Sequence, residues 1–265
     1  MEFDARLAAL QPLGGFFVLR TGEPPHGPLP TLAEAYAPAV ACARDPRSAT
    51  GDTRGATGDT RTATGDPLAD RVRRVAEGIA APEARVAASV AQQALAARLW
   101  SVALGCAVRY GRIPDLDPRL LRWDPAGSAP DDLWLTAPRP GAGGDAASVA
   151  EAVLHGHLRP LAAALRARHR LAPGLLWGNA ASALAGAARQ LARSAHELGR
   201  PDTGERARTL AARILTHPLL VGTGTVTGTD FRRRSCCLYY RVPGGGVCGD
   251  CCFTRPPRSP RPRPR

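Results

Sequence analysis

The sequence predicts a mainly α-helical protein, α+β only in carrying a few short strands, with a small cysteine-rich segment at its C-terminal end. Three observations predict it. Apolar residues recur at helical spacing over long stretches between positions 82 and 217, the runs with strand character are only a few residues long, and five of the seven cysteines fall within positions 236–252. With 265 residues and 44% hydrophobic content, the chain is long enough for one large domain with a small appendage and apolar enough to fill a core.

In chain order, residues 1–48 form an N-terminal segment in which "GGFFVLRTG" reads as a short strand and "TLAEAYAPAVACA" as a short helix. Within the segment 49–70, residues 49–69 repeat with a period of seven, "ATGDTRG ATGDTRT ATGDPLA". A coiled-coil heptad needs two apolar positions per repeat, and this one offers small Ala beside helix-breaking Gly, so it reads as a flexible, low-complexity insert.

The body, 71–230, is where helices concentrate. "PEARVAASVAQQALAARLWSVALGCAVRYG" opens with Pro82 in a favoured first-turn position and sets Val86, Val90, Ala94, Ala97, Trp100, Leu104 and Val108 on one face of a long amphipathic helix. "IPDLDPRLLRW" and "DDLWLTA" are turn and strand material. "DAASVAEAVLHGHLRPLAAALRARHR" is helical, bent or split by Gly156 and Pro160. Next, Asn179 is expected to cap a helix with Leu184, Ala187, Leu191 and Leu198 on one side, stopped by Gly199. The last helix opens at Asp202, three residues before Glu205 as in a capping box, and ends at Pro218. "GTGTVTG", Gly222 to Gly228, lacks the G-x-G-x-x-G spacing of a dinucleotide site and is expected to be a loop.

The net charge of +12 raises nucleic acid as a partner, yet every basic residue is Arg, and Ala, Gly and Pro abound, as in a GC-rich coding sequence. Five of those Arg alternate with Pro in the tail 255–265, without which the charge falls to +7. Such a tail buries no apolar surface and carries no interleaved aromatics, so an extended, disordered end is expected and no specific nucleic-acid partner. The N-terminus has acidic residues where a signal peptide needs a basic end, and no apolar run approaches the ~20 residues of a spanning helix. The expectation is a cytoplasmic protein without stable membrane insertion. In a reducing compartment, clustered cysteines are more often metal ligands or catalytic thiols than disulfides.

The segment 231–254 contains that cluster, "CCLYYRVPGGGVCGDCC", with spacing C-C-x10-C-x2-C. Structural zinc sites usually use two C-x2-C knuckles, and only one is present. Adjacent cysteines point apart in extended chain, so using both requires a turn and suits a group larger than one ion. A 2Fe-2S rhomb, two irons each needing two thiolates, meets that demand best; zinc and redox-active thiols remain open on spacing alone. The intervening glycines let backbone amides approach sulfur, which tunes a metal centre.

These residues carry a resemblance. "RRRSCCLYYRVPGGGVCGDC" resembles the C-terminal signature of the ferric siderophore reductase (FhuF-like) family, and "LWSVALGCAVRYGRIPDL", "LWL" and "GLLWGNAASALAGAARQL" are more loosely similar to its helical body, so the likeness spans roughly 71–253. It implies a 2Fe-2S cluster held by Cys236, Cys237, Cys248 and Cys251, with Cys252 a fifth thiol the pattern does not need and an alternative to Cys251. It also implies an oxidoreductase: a cytoplasmic reductase that passes one electron to Fe(III) in a siderophore, of hydroxamate type in preference, and releases Fe(II). No nicotinamide or flavin site is then required if a separate electron donor, such as a ferredoxin or flavin reductase, reloads the cluster. The alternatives are a ferredoxin-like electron-transfer protein without its own substrate and a zinc-stabilised interaction protein.

Beyond the cluster no catalytic residue is expected. Arg232, Arg233 and Arg234 stand before the ligand pair, either to offset negative charge and attract an acidic substrate or donor, or as a solvated basic turn. Trp177 and Asn179 suit the border of a substrate pocket for a planar polar ligand, or else a core aromatic and a plain cap. His155 and His157, two apart on a helix, do not share a face and are expected in surface or capping roles. Cys42 and Cys106 read as small buried hydrophobes.

Overall fold

The computed structural model describes residues 3–25, 27–38 and 65–257. Most of them lie in helices gathered round one long central helix. A short α1 (Phe3–Ala8), two 3-10 turns (Gln11–Leu13 and Gly15–Phe17) and β1 (Arg20–Thr21) form the N-terminal segment. The "GGFFVLRTG" stretch is therefore mostly a tight turn, with strand character only at its end. The helix expected at "TLAEAYAPAVACA" is α2 (Leu32–Tyr36); Thr31 and Glu34 form a reciprocal capping box, and beyond Pro38 the stretch lies outside the described residues, as does Cys42.

Most of the repeat insert also lies outside the described residues, but its last unit differs from expectation. Asp66 accepts from the Leu68 and Ala69 amides, Pro67 occupies the first turn, and α3 (Pro67–Gly78) begins there, inside the segment assigned to the insert. Arg168 then ties the two described flanks together, donating to the Ala37 carbonyl and to Asp66 Oδ2, both at 2.9 Å.

α4 (Ala84–Tyr110) starts two residues later than expected, with Glu83 at its N-cap and Pro82 in the bend before it, and runs until Gly111, at φ +70°, ends it. It is not amphipathic along its length: from Leu95 to Val108 every residue except Ala97 is buried. The reason is position, because α3, α7 (Pro173–Glu197), α8 (Pro201–Leu215) and the N-terminal turn at Gly15–Phe17 all pack against it. Arg98 is drawn into this core and is 1% exposed. It pairs with buried Asp132 at 2.8 Å and donates to the carbonyls of Gly15, Phe16, Val18 and Pro130, fastening the N-terminal segment to α4.

The strands are short and peripheral. β2 (Arg112–Pro114) pairs antiparallel with β5 (Pro140–Gly143), while β3 (Leu121–Trp123) pairs antiparallel and β1 parallel with β4 (Leu133–Leu135). After α5 (Ala146–Ala150) the helix does not split: it widens into a π-helix over Glu151–Leu158 and continues as α6 (Arg159–His169). Pro160 has no N–H, and its ring crowds the carbonyl four residues back; the wider turn, in which the Arg159 amide bonds the Leu154 carbonyl, absorbs both. Within it His157 is fully buried rather than on the surface: Nε2 donates to the Leu116 carbonyl at 2.6 Å and Nδ1 accepts from the Tyr36 hydroxyl at 3.0 Å. His155 meets His217 at 3.4 Å.

Two expected caps are corrected. α7 starts at Pro173, six residues before Asn179, which lies in mid-helix; Pro173 sets the first turn and "GLLW" continues it. α8 starts at Pro201 with Arg200 at its cap and no side-chain cap, so Asp202 serves only as a favourable charge in the first turn. Gly204 brings α8 against the Ala192 backbone of α7, where a Cβ would be crowded. The "GTGTVTG" stretch is not a loop either: β6 (Gly224–Thr227) pairs antiparallel with β7 (Asp230–Arg233), turning at Gly228, φ +60°.

Candidate metal centre

β7 delivers the chain to the cysteines. The Arg233 amide donates to the Asp250 carbonyl at 3.0 Å, joining the start of the cysteine segment to its end. Ser235 Oγ then bonds the Gly174 carbonyl, and Gly178 of α7 makes room for it: a Cβ there would collide with Ser235 Oγ. Cys236 and Cys237 follow, and Leu238 adopts a left-handed φ of +71° that reverses the chain into a 3-10 turn, Tyr239–Arg241. That turn satisfies the requirement for using adjacent cysteines. Arg241 anchors it to Glu83 at the start of α4. Gly244, φ +69°, returns the chain toward Cys248, and the Cys251 amide closes a turn on the Cys248 carbonyl at 3.0 Å.

The two loops meet through sulfur. Cys237 Sγ lies 3.6 Å from Cys248 Sγ, the Leu238 amide donates to Cys236 Sγ at 3.2 Å, and the Phe253 amide donates to Cys251 Sγ at 3.4 Å. All five thiols are free. Hydrogen bonds from Cys236 and then Cys248, with the Arg233 charge nearby, hold the Cys237 thiol well below its usual range; Cys236 and Cys248, sharing protons with it, are pushed up, each further raised by burial. Cys252 is raised by burial and the charge of Cys251. Cys106, by contrast, is buried in α4 with its thiol pushed up to about 12, an inert core residue as expected.

Among the described residues no group of three or more His, Cys, Asp or Glu side chains is arranged to hold a single metal ion. A two-iron cluster makes a different demand, thiolates in pairs with amides directed at sulfur, and Cys236, Cys237, Cys248 and Cys251 have the chemistry for it. Two models of known families match the chain. One described as a ferric iron reductase FhuF-like transporter matches residues 92–221, and one described as the FhuF 2Fe-2S C-terminal domain matches residues 233–253. The chain belongs to the FhuF-like ferric iron reductase family. Its cofactor is a 2Fe-2S cluster. No curated protein matches the chain, and no helix of its described residues is long and apolar enough to cross a membrane.

The FhuF-like segment is clasped to α7 by residues that the spacing of cysteines did not single out. Asp250 is buried and accepts from Ser182 Oγ at 2.6 Å and Arg189 at 2.8 Å. It is the one acid between Cys236 and Cys252, a signal that was available in the sequence. The Cys237 carbonyl accepts from Ser89 of α4 at 2.8 Å.

Of the other expected site residues, Arg232 and Arg234 are exposed, with Arg232 reaching the Cys252 carbonyl at 3.3 Å. Arg233 is not part of a solvated turn: it is 2% exposed. Asn179 is wholly buried, and Trp177 is half-buried against the core. Neither is on the wall of the cavity that adjoins the cysteines. That cavity, about 520 Å³, is lined by Phe16, Gln93, Ser182, Gly186, Arg189, Gln190, Arg193 and Cys248 among others.

Proposed function

We propose that this protein is a cytoplasmic reductase that passes one electron to Fe(III) held by a siderophore in the cavity beside Cys248, releasing Fe(II). Cys236, Cys237, Cys248 and Cys251 are the proposed ligands, with the helical body 71–230 presenting the substrate to the segment 231–254. The 2Fe-2S cluster, when bound, supplies a single electron at a potential set by its surroundings. The observation that carries the reading is that Cys248 belongs both to the sulfur group and to the cavity wall, so a molecule seated there adjoins one of the proposed ligand residues.

The cavity's own residues suit such a cargo. Gln93, Arg193 and Gln190 offer donors to the oxygens of a siderophore, and Phe16 offers an apolar wall. Hydroxamate oxygens are hard ligands that hold ferric iron far better than ferrous iron, so the added electron loosens the complex. The electron lost to the substrate is restored by a separate donor protein of ferredoxin or flavin-reductase type.

The test uses protein purified without oxygen. Iron and acid-labile sulfide should each be about two per chain, the colour should bleach with dithionite, and a ferric hydroxamate should restore it while a ferrous chelator traps equivalent Fe(II). A reduced, fully loaded protein that ignores ferric siderophores would reassign the chain as an electron carrier. Colourless protein with one zinc would overturn both.

A further inference from the structure

Arg233 has an environment that ordinary packing does not explain. Its guanidinium donates twice to Asn179 Oδ1, at 2.7 and 2.6 Å, and more weakly to Gln93 Oε1 and the Ser235 carbonyl, at 3.3 and 3.4 Å. Every acceptor is neutral, and none of the ion pairs among the described residues involves Arg233. Buried cations are normally matched by a carboxylate, because burying a lone charge is costly. Arg98, equally buried, has Asp132. What Arg233 adjoins is the cysteine segment: its Nε bonds the carbonyl of Ser235, next to Cys236, and its backbone amide bonds the carbonyl of Asp250, next to Cys251.

A second path runs through Asn179. Its Nδ2 donates to Ser89 Oγ at 3.0 Å, and Ser89 Oγ donates in turn to the Cys237 carbonyl at 2.8 Å. Each hydrogen in this series points away from the guanidinium and toward the cysteine backbone, so the bonds polarise one another in one sense. Arg232 and Arg234, in solvent, are screened by salt, whereas a buried charge is not.

We propose that Arg233, held in place by Asn179, is the positioning residue that raises the reduction potential of the cluster by compensating the negative charge gained on reduction. This rests on a cluster held at Cys237 and does not depend on a siderophore being the substrate, because it is read without one.

The experiment is an anaerobic redox titration of iron-loaded protein, comparing wild type with Arg233→Gln, Arg233→Lys and Asn179→Asp. Arg233→Gln and Asn179→Asp should each lower electron affinity about tenfold, a shift of about 59 mV to more negative potential for a one-electron couple. Arg233→Lys, which keeps the charge, should stay near wild type. The shifts should persist at about 1 M salt, where exposed charges are screened beyond about 3 Å. An unshifted Arg233→Gln with full iron content overturns the proposal, as does Arg233→Lys shifting as far as Arg233→Gln. Should Arg233→Gln fail to retain iron, Asn179→Asp decides: it keeps an acceptor for the guanidinium while cancelling its charge, and an unshifted potential there overturns the assignment.

Discussion

Ser182 Oγ lies 2.6 Å from Asp250 Oδ2, so the loop between Cys248 and Cys251 is fastened to α7 by a buried hydroxyl–carboxylate bond, with Arg189 on the other oxygen. Asp250→Ala leaves a cation and a hydroxyl without their partner, at a cost of about 2 kcal/mol. The expected outcome is faster loss of the cluster, by at least roughly tenfold for a cost of that size, followed by bleaching under anaerobic chelator challenge. Asp250→Asn, which keeps an acceptor for Ser182, should fall between the two.

Cys251 and Cys252 are separable. Only Cys251 accepts the Phe253 amide and closes the turn with Cys248. Cys251→Ser should abolish stoichiometric iron and sulfide, while Cys252→Ser should retain both; the reverse result would move the fourth ligand to Cys252.

Gly186 lies in α7 on the cavity wall, with nothing nearer to an added Cβ than Arg189 at 3.9 Å. Gly186→Leu should leave the helix intact, since Leu is a better helix former by roughly 0.5–1 kcal/mol, and fill part of the cavity. Reduction by dithionite should be unchanged, while reoxidation by ferric siderophore slows. Equal reoxidation rates would place the substrate elsewhere.

Arg98 and Asp132 should behave as a unit. Removing one leaves the other charged and buried, so Arg98→Met is expected to cost roughly 3–5 kcal/mol. The double variant Arg98→Met, Asp132→Asn should be more stable in urea than Arg98→Met alone.

His157 gives an acid-dependent stability. Burial depresses its pKa to about 4 from 6.5, so between those values the unfolded chain binds a proton that the folded chain refuses. Stability present above pH 6.5 is lost as pH falls toward 4, on the order of 3 kcal/mol in full. His157→Gln, which can still donate to the Leu116 carbonyl, should flatten the wild-type decline in anaerobic urea unfolding between pH 7 and pH 5. An unchanged slope would argue that another group titrates.

What the sequence revealed tracks how local each signal is. The long helices and the strand at Leu133–Leu135 follow from spacing within a dozen residues, and the cysteine pattern names its own chemistry. Asn179 was misread because its neighbours look like a helix start, when its role is fixed by Ser89 and Arg233, 90 and 54 positions away. The amphipathic reading of α4 failed for a related reason: a helix surrounded by others has no solvent face, and Ala and Ser on its far side look polar enough to mislead. Arg98 and Asp132 carried no local mark of burial. The π-helical turn was foreshadowed by Pro160, but a proline announces a disturbance without saying which form it takes.

Arg168 gives the seven-residue repeat a fixed frame. Because one guanidinium grips Ala37 on one side and Asp66 on the other, the two described ends that flank the repeat are held by a single side chain. Near-identical tandem units in coding DNA are prone to gain or lose copies during replication, and a change confined to the units before Ala63 leaves Ala37, Asp66 and Arg168 in the sequence. Siblings of this chain with a different copy number should keep this clasp of Arg168 on Ala37 and Asp66, and with it the start of α3.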